Sequence, residues 1–143
     1  MKFDGKKIGY WVATVLLALG FLVGGVSDLA HAPQVVDGLA SLGYPAYLAS
    51  ILGAWKVLGA LAVAVPKFPR LKEWAYAGIA FDLSGALVSH LLCGQTDKIA
   101  FPIVLLLVAG ASWALRPASR KLADDSAQAT ASNASQVGAV ARA

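Results

Sequence analysis

Four apolar runs constrain this chain more than anything else in it. They cover about residues 8–28, 46–65, 74–93 and 99–115. A bilayer's hydrocarbon core is about 30 Å thick, and a helix rising 1.5 Å per residue crosses it in about 20 residues. Lipid offers no partner to a free N–H or C=O, so such runs must be helices that satisfy their own backbone. The expectation is an all-α integral membrane four-helix bundle over 8–115. Of the 143 residues, 58% are apolar and 14% charged, against about 25% charged in a soluble domain.

The first run has a competing reading as a secretory signal peptide. Lys2, Lys6 and Lys7 precede it, and Ala30-His31-Ala32 imitates a cleavage site. However, the run is long for a signal core and Pro33 would be a poor new N-terminus. It is read as a retained span.

Lys2, Lys6, Lys7, Lys67, Arg70, Lys72, Arg116, Arg120, Lys121 and Arg142 all flank one side of the four spans, and Lys98 alone flanks the other. The positive-inside rule then places both termini in the cytoplasm. The net charge of +4 is spent on topology, and a nucleic-acid partner is not expected. Residues 1–7 form a short cytoplasmic N-terminus. Residues 116–143, rich in Ala, Ser and Gln with no apolar stripe, are expected to be a disordered cytoplasmic tail. Between spans 1 and 2, Pro33 opens a segment with Val35, Val36, Leu39 and Leu42 on one side and Gln34, Asp37 and Ser41 away from it. That pattern suits a short interfacial helix.

The charges inside the spans carry the functional question, because each costs roughly 2.5–3.5 kcal/mol at mid-bilayer. Lys56 and Asp82 sit at similar distances from the short turn joining spans 2 and 3. Equal depth on adjacent antiparallel helices predicts a Lys56–Asp82 ion pair, structural or functional. Gly78, Gly85 and Ser89 share the small, polar face of Asp82, with His90 just beyond it. Asp28, His31, Ser89 and His90 lie toward the outer ends of their helices and are expected to form a polar or proton-relay cluster above the pair. Gly20 and Gly24, with Gly53, Gly59, Gly78 and Gly85, are read as sites of close helix packing.

Cys93 is the only cysteine, so no Cys-x-x-Cys redox pair exists. Asp28, His31 and His90 have metal-ligating chemistry but no ligand spacing, and no metal site is assigned. No catalytic residues are assigned, and no cofactor is evident.

Gly53-x-x-Lys56-x-x-Gly59, Lys72-Glu73-Trp74-Ala75-Tyr76-Ala77-Gly78 and Asp82-x-x-Gly85-Ala86-x-x-Ser89-His90 together resemble the DoxX-like family of small four-helix bacterial membrane proteins. The resemblance covers roughly residues 8–115 and implies a multi-pass protein of the bacterial inner membrane. It also implies a loose association with membrane redox complexes, including quinone-linked ones. The expected function is an accessory or structural subunit with a polar intramembrane site, leaning away from an autonomous enzyme. Its partners would be the bilayer and either another membrane protein or further copies of the chain. Two alternatives stay open: a quinone-binding oxidoreductase component, and a small-solute or proton transporter acting as an oligomer.

Overall fold

The computed structural model describes residues 5–117 and 120–121. The first four residues and nearly all of the expected tail lie outside the described residues. The elements are α1 (Gly5–Leu29), α2 (Pro33–Ser41), α3 (Tyr47–Ala64), α4 (Pro69–Leu92), a 3-10 turn (Thr96–Lys98) and α5 (Ala100–Ala114). Among the described residues, four stretches are long and apolar enough to cross a membrane: α1, α3, α4 and Thr96–Ala114. α1 packs on α3 and α5, and α4 packs on the same two, which closes a four-membered ring. α2 is the short connecting helix at one end. Its Val35, Val36 and Leu39, with Leu42 just past its end, are half-buried, while Gln34, Asp37 and Ser41 are exposed, the division expected from the sequence.

Local chemistry sets the helix ends. Proline occupies the first turn of α2 and of α4, where its missing N–H costs nothing. Gly43 (φ 81°) and Gly94 (φ 69°) follow α2 and α4 in the left-handed region. Beyond them, the N–H groups of Tyr44 and Gln95 donate to the carbonyls of Leu39 and His90. This is the closing bond of a Schellman motif. α1 ends the same way, with Ala32 N–H donating to Ser27 O, but His31 takes the left-handed position at φ 48°.

Apolar side chains face outward as well as inward, and several polar groups are buried between the helices. Val23, Phe81, Leu92, Phe101 and Leu107 face outward, all well exposed, while Thr14, Lys72, Ser112 and Arg116 are buried. In water this arrangement would be unstable; in lipid it is the favourable one. These four buried polar residues cluster at the basic end of the bundle, and Asp28 is buried toward the other. Ser112 Oγ bridges Thr14 Oγ1 and Tyr76 Oη, 2.7 Å from each. Arg116 Nη2 donates to Glu73 Oε1 at 2.7 Å, and Trp113 Nε1 donates to Glu73 Oε2 at 2.9 Å. The Arg116 guanidinium also lies 5.1 Å from the centre of the Tyr76 ring, close enough for a cation–π contact.

Lys72 is fully buried and donates to the carbonyls of Ala62 and Val63 at 3.1 and 2.6 Å. Those are among the last carbonyls of α3, which lack helical partners and attract a cation. Lys72 and Arg116 therefore lock helices together.

Ser112→Ala removes the one partner shared by two buried hydroxyls. It is expected to cost about 1–3 kcal/mol, and Tyr76→Phe less, because the Thr14–Ser112 bond survives the second change. Reversible unfolding in mixed detergent micelles measures both.

Candidate functional site

The tightest contact in the bundle lies between α1 and α3, and it decides where Lys56 goes. A Cβ on Gly53 would lie 2.8 Å from Gly25 O and from Leu29 N, and one on Gly25 would lie 3.0 Å from Gly53 O. Two bare backbones therefore meet here. The Lys56 Cβ sits 3.0 Å from that same Gly25 position, so Lys56 emerges along the α1–α3 seam. In an antiparallel pair each Cα–Cβ bond leans toward its own helix N-terminus. Lys56 thus leans toward the α2 end, and Asp28 leans back toward Lys56.

Lys56 Nζ donates to Asp28 Oδ2 at 2.8 Å. The expected pair with Asp82 is corrected accordingly: the lysine is committed to α1, and its partner is Asp28. Equal depth was a sound reading, but depth does not say which neighbour a side chain turns toward. Asp82 is left without a hydrogen bond or ion pair among the described residues. It remains beside Lys56, since both line the same two cavities.

The first cavity is a groove of about 410 Å³ between α3 and α4, with Phe21 of α1 in its wall. Leu58, Leu71, Trp55 and Trp74 line it, and the two tryptophans are 69% and 78% exposed. The groove therefore opens sideways, toward lipid. Lys56 and Asp82 are its charged residues. The second cavity, about 1080 Å³, lies beneath α2 and takes in Asp28, Lys56 and Asp82 together with Ser84, Ser89 and His90. The carboxyl of Asp82 thus stands at a waist between an apolar lateral groove and a more polar cavity at the α2 end.

The expected outer cluster separates into three local arrangements. His31 Nε2 bonds Ser50 Oγ at 3.2 Å, which ties the α1–α2 turn to α3. Ser89 Oγ donates to Gly85 O at 2.8 Å and so accepts from Tyr44 Oη, also at 2.8 Å. His90 Nδ1 lies 3.1 Å from Gln95 Oε1. Gln95 Nε2 donates to Ser41 O and Oγ, so the amide oxygen faces His90 and Nδ1 carries the hydrogen. Asp28 belongs to the waist and not to this rim.

Among the glycines read as packing sites, Gly53 makes the close approach. A Cβ on Gly20 or Gly59 would meet only ordinary contacts at 3.8 Å, and at Gly24, Gly78 or Gly85 it would meet nothing within 4 Å. Gly24, Gly78 and Gly85 are therefore corrected: among the described residues none approaches them closely enough to require a glycine. Gly78 and Gly85 instead line the lateral groove and the cavity beneath α2, where the missing side chain leaves room.

Sequence reasoning missed Gly25, Trp55, Tyr44 and Gln95. Gly25 had a signal: Gly25-x-x-Asp28 and Gly53-x-x-Lys56 repeat the same spacing of glycine and charge on two helices. Among the described residues, no group of three or more His, Cys, Asp or Glu side chains is placed to hold a metal ion.

The model of the DoxX-like family matches residues 12–112, a range that takes in the waist, both cavities and most of the four spans. The chain belongs to the DoxX-like family. No curated protein and no solved structure matches it. This DoxX-like protein is a multi-pass membrane protein, and its family match covers every residue of the waist.

Proposed function

We propose that this DoxX-like protein is a binding subunit of the bacterial inner membrane. It holds a small lipid-soluble molecule in the groove between α3 and α4, with the molecule's polar head against Asp82. The observation that carries this reading is the lateral groove itself, apolar along its length and ending on a carboxyl whose neighbouring lysine is bonded elsewhere. Its volume falls within the usual range for small-molecule sites, which combine apolar walls with a few placed polar groups. An accessory role fits a site that binds and orients without a nucleophile beside a base. The client would be a second copy of the chain or another membrane protein reached from the same lipid face.

A quinone is the second reading. Lys56 lies beside Asp82 in the groove, and an ammonium and a protonated carboxyl can each donate to a ring carbonyl. That reading would make the protein a quinone-binding component of a membrane redox complex. A carrier role would draw on the other cavity, which reaches the same carboxyl from the α2 end. Flux into liposomes that disappears in Asp82→Asn is the result that would move the reading there.

Gly78→Leu tests the groove directly. A side chain at Gly78 meets open space, so the bundle is expected to fold while the groove is filled. Native mass spectrometry of protein extracted in mild detergent should show a small lipid-soluble molecule on the parent chain and not on Gly78→Leu. Equal occupancy in the two proteins would count against the groove as the site.

A further inference from the structure

We infer that the molecule held against Asp82 is a lipid-soluble organic monocation, and that it displaces a proton which leaves through the cavity beneath α2. This rests on the groove being a binding site, as proposed above, and names what the site selects.

Charge balance is the first argument. The charged groups acting on Asp82 are Lys56 from α3 and Asp28 from α1. From α2 and α5, the cavity beneath α2 receives Gln34 and Phe101, neither of them charged, and His90 lines it about two turns along α4 from Asp82. Lys56 Nζ is bonded to Asp28 Oδ2 at 2.8 Å. When both acids are ionised the waist carries one negative charge too many, and it sits on Asp82. A lone charge at membrane depth is unfavourable, so either a proton or a bound cation must offset it.

The groove walls favour an organic cation over a metal ion. Calcium or magnesium needs six or more oxygen ligands, or retained water, and the groove offers one free carboxyl among apolar side chains. Trp55 and Trp74 stand at its exposed edge, and indole faces attract cations whose charge is dressed in apolar groups. A lateral opening admits only what already partitions into lipid.

The second cavity supplies the other half of the exchange. Ser84, Ser89 and His90 line part of it, and at about 1080 Å³ it has room for water to carry a proton away from the carboxyl. In the exchange the O–H bond of the Asp82 carboxyl breaks, its proton passes to solvent through this cavity, and the cation takes its place. The site's net charge is the same before and after.

Tetraphenylphosphonium, a permanent cation with no acidic proton, tests this on the purified full-length chain, with triphenylphosphine oxide as the neutral counterpart. Binding is followed by tryptophan quenching and equilibrium dialysis. Tetraphenylphosphonium should bind saturably and release about one proton per cation in weakly buffered solution, with affinity rising by up to about tenfold per pH unit. Asp82→Asn should weaken cation binding roughly tenfold or more and abolish proton release. Unchanged helical circular dichroism and an unfolding midpoint in mixed micelles no lower than the parent's report that the variant is folded. Cation binding without proton release, or unchanged in Asp82→Asn, overturns the exchange. Neutral-probe binding lost in Gly78→Leu, with no cation binding by the parent chain, overturns the cation class and leaves the groove standing. If neither probe binds and Gly78→Leu leaves the co-purifying molecule in place, the inference and the reading beneath it both fall.

Discussion

Lys56→Met is expected to destabilise the bundle by about 3–5 kcal/mol, and adding Asp28→Asn to recover most of that loss. The single change strands a carboxylate that is almost fully buried and had an ammonium 2.8 Å away. Methionine keeps the stem of the lysine, so little packing is lost and the effect reports the charge. With Asp28→Asn present, no stranded ion remains, which is why two harmful changes are expected to be milder together. Reversible unfolding in mixed micelles gives the four corners of the cycle. The same cycle run with Asp82→Asn should show a much smaller coupling. A coupling to Asp82 as large as that to Asp28 would falsify the assignment of the lysine to α1.

Gly53→Val is the second large effect. Its Cβ would lie 2.8 Å from Gly25 O and Leu29 N, and both are backbone atoms that cannot swing aside. The helices must separate, which draws Lys56 and Asp28 apart and opens the seam. Overpacking alone costs about 1–3 kcal/mol, and a loosened ion pair adds to it. Gly53→Ala should show the lower part of that range. Gly24→Ala is the control: its Cβ meets nothing within 4 Å, and alanine is a better helix former, so stability should hold or rise slightly. Equal losses at Gly24 and Gly53 would mean that the close approach lies elsewhere. If Gly53→Val also lowers the Lys56–Asp28 coupling, the glycine contact and the ion pair form one unit.

Much of the fold was legible because it is written in local terms. Pro33 and Pro69 open helices, Gly43 and Gly94 close them, and Val35, Val36, Leu39 and Leu42 mark the inward side of α2. Each of these features needs only residues a few positions apart. His31 shows where that kind of reading stops. Its ring suggested proton chemistry, whereas its backbone takes the left-handed place usually left to glycine and its Nε2 bonds Ser50. The basic residues at the span ends were legible in the sequence as flanks of the apolar runs. That Lys72 caps α3, and that Arg116 reaches Glu73, depended on which helices became neighbours.

The amino-acid sequence by itself determined four spans, the short helix between the first two, and the presence of charges that must be compensated in lipid. Hydropathy and helix rise are functions of position along one chain, so they yield lengths and depths. Only the tertiary structure decided that Lys56 turns to Asp28 and leaves Asp82 open at the waist of two cavities. That choice is one of rotation about a helix axis, and the rotation is set where Gly25 and Gly53 let two backbones touch across 28 residues of chain.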